Sequence, residues 1–348
     1  MRGTRAPSGY AADGGRPATP GGASARPGRR RVLLAGTAAL VAGPSVFAAR
    51  AGARVGYLEH VGAPDGERLF REFVEGLRAR GYSEGRNLAL LRASADMRAE
   101  RLRAFANEFA VARVEAILAS STESARAAKV AAPGVPTVFV LSDDPVFEGL
   151  VRSLARPAGS LTGVVLRGED LTAKRLELLR DAFPRVRSVA VVGSAGSLSR
   201  AGYREAASRL GVGIHEFRVE AKGDYREAAA GIARSDADGV LVVEDADEIA
   251  GLSAFVRLVM ATRRPAMFNA DVFVENEGWG MMAYGVSLRE QYRRAAGILA
   301  SVLEGAKPAD IPVEQPTRYE LVVNLRAAQE YGHQVPAAFL ARADRVVR

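Results

Sequence analysis

From Ala53 onward the sequence alternates short apolar runs with segments of helical period, and the alternation runs through two successive blocks. No other feature limits the fold as much. "ARVGYLEH" (53–60) reads as a strand, and the segment after it places Leu69, Phe70, Phe73, Val74 and Leu77 in one helical stripe ended by Gly81. Further strands read at 87–94, 114–120 and 135–142. A helix over 97–113 and a second one opened by the hydroxyls at 121–122 separate them. The pattern restarts with a helix over 171–184, stopped by Pro184. A strand at 186–194, a helix over 198–211, a strand at 213–220, a helix over 225–238 and a strand at 239–245 follow. Such alternation implies right-handed crossovers and parallel sheets covered on both faces. The strands are apolar throughout rather than on every second residue, which suits burial on both sides. The expected class is α/β: two doubly wound, Rossmann-like parallel-sheet lobes. A chain of 348 residues that is 48% apolar can fill two such cores.

Open parallel sheets bind ligands beyond the carboxyl ends of their strands. Here those ends fall at Leu58–His60, Ser120–Thr122, Ser142–Asp144, Gly193–Ser197, Glu244–Asp245 and Phe268–Asp271. The candidate ligand residues among them are His60, Ser120, Ser121, Thr122, Asp144, Ser194, Ser197, Glu244, Phe268 and Asn269. Helices that start at these ends offer free backbone N–H groups, which suit a carboxylate or another anion. His60 reads equally as a ligand contact and as a polar loop residue. Phe268, Phe273, Trp279 and Tyr284 read equally as lobe-junction packing and as an aromatic wall.

Catalytic chemistry finds little support. With no cysteine, disulfides, thiolate catalysis and Cys-based zinc sites are excluded. "GSAGSLSRAG" (193–202) follows a strand, but its glycines do not match a dinucleotide loop; G-x-x-x-x-G-K-[ST] and G-x-S-x-G are absent. His60, His215 and His333 lie far apart, so no metal is expected. Asp143 and Asp144 point apart on an extended chain and form no dyad; Asp144 before Pro145 favours a structural turn at the cleft edge. No catalytic residue, metal or cofactor is expected.

The net charge of +8 is concentrated at one end. Residues 1–50 hold eight arginines and one acid, Asp13, leaving 40 basic and 39 acidic residues in the remainder. A nearly neutral body does not suit nucleic acid. Three arginines precede the uncharged run Val32–Ala49, broken by Gly43-Pro44 and followed by small residues. This is the order of an export signal, similar to a twin-arginine signal, with cleavage expected between Ala48 and Ala53 and a periplasmic destination. An uncleaved anchor and a leader without function, from a start site placed too far upstream, are the alternatives.

Three stretches carry a family resemblance: "DPVFEGLVRSLARPAGSLTGV" (144–164), "KRLELLRDAFPRVRSVAVV" (174–192) and the segment from "GWGMMAYGVSLREQYRRAAGILASVLEG" (278–305) to "HQVP" (333–336). Over roughly 54–348 the chain resembles the ABC transporter substrate-binding protein family related to tryptophan- and tyrosine-type uptake proteins. The resemblance implies a type I periplasmic-binding-protein-like fold with a multi-strand hinge, closing on a small molecule that is passed to an ABC permease. With the leader read at 1–53, the expected lobes are a first from 54–163 plus about 280–308 and a second from 164–279 plus about 309–348. It implies ligand-lining segments at Ser120-Ser121-Thr122 and Asp144-Pro145-Val146. Thr162-Gly163 is expected at the first lobe crossing and Ala283-Tyr284-Gly285 at the crossing back. Val151–Leu154 is expected as a short helix. Two segments depart from the family pattern, Ala158–Leu161 and Gly193–Ser197, so ligand identity does not transfer. The ligand is expected where Ser121 and Thr122 cap a helix beginning near Glu123, opposite Phe268, Asn269 and Tyr284, with an amino acid or small carboxylate as its class. The binding protein is expected to act as a monomer, touching a membrane only through its signal or its partner. A sensor feeding a membrane signalling protein is the first alternative; a two-domain α/β enzyme is the second.

Overall fold

The computed structural model describes residues 52–62, 66–166, 171–200, 202–219, 225–243, 252–275 and 280–348. The expected leader, Glu244 and Trp279 lie outside them.

The first block builds a five-stranded sheet. β1 (Ala53–Glu59), β2 (Leu88–Ser94), β3 (Ala116–Ala119), β4 (Thr137–Leu141) and β5 (Leu161–Val165) lie in the order β2-β1-β3-β4-β5, all parallel. The crossover helices are α1 (Glu67–Ala79), α2 (Ala99–Val111) and α3 (Thr122–Ala131). Every residue of β3, β4 and β5 is buried, as the unbroken apolar runs require, while the edge strand β2 is mostly half-buried. Gly163 marks the tightest approach in this sheet: any Cβ there would overlap the backbone of Phe139 on β4.

The second block opens with α4 (Thr172–Ala182) and β6 (Ser188–Gly193). The single helix expected over 198–211 is instead two, α5 (Ala195–Arg200) and α6 (Tyr203–Leu210), the latter ended by left-handed Gly211. Then come β7 (Gly213–Arg218), α7 (Tyr225–Arg234), β8 (Gly239–Val242), α8 (Leu252–Met260), β9 (Ala266–Ala270), a single 3-10 turn at Asp271–Phe273, and β10 (Met282–Val286). α9 (Leu288–Leu303) leaves this sheet and packs along α1 and against β3, β4 and β5. The chain returns as β11 (Glu320–Asn324), α10 (Leu325–Glu330), α11 (Ala337–Leu340) and β12 (Arg345–Val347). The sheet order is β12-β11-β10-β9-β8-β6-β7, parallel except where β11 meets β10.

Three chain passes therefore join the lobes: β5 to α4, β10 to α9, and α9 to β11. Thr162-Gly163 and Ala283-Tyr284-Gly285 lie inside β5 and β10, not at the passes themselves. Residues 282–286 pair within the second sheet, and the chain changes sheets between Val286 and Leu288. Near this exit the β9–β10 register shifts between Ala283 and Val286, and Gly285 sits where a Cβ would overlap the Asn269 carbonyl.

Val151–Leu154 is not helical. The N–H groups of Leu150 and Val151 both bond to the Pro145 carbonyl (2.8 and 3.1 Å), and that of Arg152 bonds to the Pro157 carbonyl (2.8 Å). The segment is a folded loop whose Leu150 and Val151 pack on Phe139, Leu141 and Leu161.

Candidate functional site

The first lobe brings its candidates together at the ends of β1, β3 and β4. Ser121 is the N-cap of α3, its Oγ accepting from the Ser124 N–H at 3.1 Å. Thr122 is already inside the helix rather than capping it. Its Oγ1 donates to Asp143 Oδ2 at 2.9 Å, tying the start of α3 to the end of β4. Ser120 Oγ accepts from the His60 N–H at 3.4 Å, and His60 Nδ1 lies 3.7 Å from Glu123 Oε2. Burial lowers the His60 pKa below the ordinary imidazole value, and the Glu123 carboxylate partly opposes this. Asp144 is exposed, and its Oδ1 accepts from the N–H groups of Val146 (2.8 Å) and Phe147 (3.3 Å). That is a structural turn, in the sense in which Asp-Pro reads in the sequence.

Beneath this rim lies a charged pair that sequence reading did not single out. Arg92 grips the buried Glu59 through two hydrogen bonds of 3.0 and 3.2 Å, reaches Glu67 at 2.5 Å, and stacks over Phe70 at 4.3 Å. Burial raises the Glu59 pKa while the Arg92 hydrogen bonds oppose the shift. The Cβ that any residue other than glycine would carry at Gly66 would overlap Glu59 Oε1, so the start of α1 lies directly over this carboxylate.

The second lobe supplies fewer usable groups. Ser194 Oγ accepts from the Ser197 N–H and donates to Ser197 Oγ, both at 3.2 Å, closing the start of α5. Asn269 lies at the end of β9, nearly buried. The Tyr284 ring is half-buried beside Tyr319, with centroids 6.4 Å apart. Arg175 on α4, unmarked by any motif, donates from Nε to the Tyr284 carbonyl at 2.7 Å.

Two candidates do not sit where a ligand could touch them in this arrangement. Phe268, expected as a cleft wall, is fully buried and stacks on Phe273 at 5.1 Å. It lies mid-strand, and its alternation puts the ring into the core. Thr162 is fully buried, its Oγ1 donating to the Ile311 carbonyl at 2.7 Å and tying β5 to the chain that returns to the second sheet. Among the described residues no group of three or more His, Asp or Glu side chains could hold a metal. No described helix is long and apolar enough to cross a membrane.

Comparison with known proteins fits this geometry. A tyrosine-binding protein of Clostridioides difficile (strain R20291) is 23% identical over 284 residues, 78% of each chain. A conserved domain protein of Vibrio cholerae superposes with a TM-score of 0.70 at 25% identity, covering 84% of this chain and 99% of that one. An ABC domain from Streptococcus pneumonia in complex with L-Trp superposes with a TM-score of 0.72 at 21% identity, covering 85% and 100%. The two-lobed α/β arrangement is that of type I periplasmic binding proteins. The family model for ABC transporter substrate binding proteins, a class that carries ligands rather than converting them, matches residues 55–347, and the chain belongs to that family.

Proposed function

We propose that this substrate-binding protein captures an amino acid, with aromatic amino acids first among the candidates, between the strand ends of its two lobes and passes it to an ABC permease. The observation that carries the reading is the pair of relatives: a tyrosine-binding protein and an L-Trp complex. The chemistry of the strand ends supports it. The N–H groups at the start of α3 and the hydroxyls of Ser120, Ser121 and Thr122 suit the ligand carboxylate, with His60 beside them. Tyr284 and Asn269 face it from the second lobe, the ring covering the apolar part and the amide a polar group. Closure about the three chain passes then shields these hydrogen bonds from water and strengthens them. Export by the arginine-led signal places the protein where such a ligand arrives. Intact-mass measurement on protein recovered from the periplasm tests cleavage between Ala48 and Ala53, and retention of residues 1–47 would overturn that cleavage.

The ligand is tested by calorimetry and thermal shift with L-tyrosine, L-tryptophan, other amino acids, nucleosides, sugars and small acids. Saturable binding and a concentration-dependent rise in Tm are expected for an aromatic amino acid. Binding of a sugar or nucleoside alone would overturn the assignment.

A further inference from the structure

Away from the candidate ligand residues, the lobes also meet through charge. α1 and α9 lie side by side with their first turns toward the second lobe. Glu72 of α1 pairs with Arg293 (2.8 Å) and Arg289 (3.6 Å) of α9. Into this pair of helix starts the second lobe inserts Asp271 and Glu275, which follow β9. Asp271 Oδ2 accepts from Ser287 Oγ at 2.8 Å and Oδ1 accepts from the Leu288 N–H at 3.0 Å, capping α9 from the opposite lobe. The Glu275 side chain is only 5% exposed and pairs with three guanidinium groups: Arg68 of α1, Arg289 of α9 and Arg345 of β12. Arg345 also lies 3.5 Å from Asp271 and 3.7 Å from Glu320. Leu69, next to Arg68, packs against the cores of both lobes.

A carboxylate shared by guanidinium groups from both lobes has a direct mechanical meaning. Removing one member of a buried ion pair leaves uncompensated charge, which is costly. The Glu275 pairs with Arg68 and Arg289 therefore oppose any rotation that separates the lobes on this side. Their hydrogen bonding is also incomplete on both sides: Arg68 Nη1, Arg289 Nε, Arg345 Nε and Nη2, and Glu275 Oε2 are buried without a hydrogen-bond partner. A cavity of about 680 Å³ lies against the cluster, lined among others by Arg71, Glu75 and Arg78, so the groups have room to pair again when the lobes shift.

We propose that Glu275 is a positioning residue for ligand capture: by pairing with Arg68 and Arg289 across the lobes it fixes the angle between them and sets how readily the cleft closes. The proposal rests on the reading that the ligand is held between the lobes, but its first test needs no ligand. The chain has no cysteine, so Val130→Cys on α3 and Glu227→Cys on α7, both exposed, carry a spin-label pair across the lobes. In Glu275→Gln the interlobe distance distribution shifts or broadens, and Glu275→Asp restores it in part. Where Glu275→Gln does not fold, Arg68→Gln removes one of the two first-lobe partners, leaves Arg289 in place, and gives a smaller shift in the same direction. The dissociation constant for L-tryptophan or L-tyrosine changes by about tenfold in the variants that shift, because a ligand that binds one arrangement is sensitive to its population. A folded Glu275→Gln or Arg68→Gln protein with the wild-type distance distribution overturns the proposal, even if its Tm has fallen. If neither amino acid binds the wild type, the ligand assignment fails while the distance measurement still decides the role of Glu275.

Discussion

The strand-end rim of the first lobe and the charge cluster at the starts of α1 and α9 face the same neighbour with opposite chemistry. At the rim, small groups find partners inside their own lobe: Ser121 with Ser124, Thr122 with Asp143, Ser120 with His60. In the cluster, Glu275 and Asp271 find partners across the lobes. A rim group can therefore accept a ligand with little change in the stability of the empty protein. A cluster group cannot change without altering how the lobes are held.

Substitutions at five positions test this contrast. The scale is set by Phe73→Ala on the buried face of α1, where a fully buried ring is lost. It costs about 3–5 kcal/mol in chemical denaturation. Asp271→Ala follows at about 2–3 kcal/mol, since it removes the buried acceptor of the Leu288 N–H and of the hydroxyl of Ser287, the N-cap of α9, and leaves Arg345 short of a carboxylate. Asp271→Asn recovers part of the loss, and an Asp271→Ala protein as stable as wild type would erase the distinction between the two regions. Thr122→Ala changes the stability of the empty protein by less than about 1 kcal/mol, because half-buried Asp143 can turn to water. The same substitution weakens amino-acid binding by about 1 kcal/mol in calorimetry, and Tyr284→Ala weakens it through lost packing area. Unchanged affinity in both would place the ligand elsewhere.

His60→Gln has the smallest effect. Burial holds the folded His60 pKa below its unfolded value, so on acidification the unfolded chain takes up the proton first. That contribution is complete above the unfolded pKa, about 6.5, and is lost as pH falls toward the folded value. The substituted protein should show a shallower loss of stability over that acid window in denaturation series. An unchanged slope would mean that the pairing with Glu123 offsets the burial.

Much of the fold is written along the chain. Strands β1 to β4 of the first sheet and β6 to β8 of the second are legible along the chain, and their carboxyl ends locate Ser120–Thr122 and His60; β10, β11 and β12 are not. Other features depend on distant partners. Glu275 carries no local signal; its environment comes from Arg68, 207 residues earlier, and Arg345, 70 residues later. The Arg68–Glu72 and Arg289–Arg293 spacings put charges on one face of each helix, yet a charged helix face reads as solvated until another element covers it.

The sequence by itself determined the two α/β blocks, the strand ends where a ligand can meet helix starts, and the family, because periodicity and contiguous motifs are local properties. Only the tertiary structure decided which lobe each late element serves. β10 stays in the second sheet and α9 crosses to the first, because α9 buries its apolar face on α1, β3, β4 and β5. It also decided that Phe268 is core and that Thr162 ties β5 to the returning chain: a buried aromatic and a cleft aromatic look alike along a chain, and only the register of β9 and the position of Ile311 settle where each side chain goes.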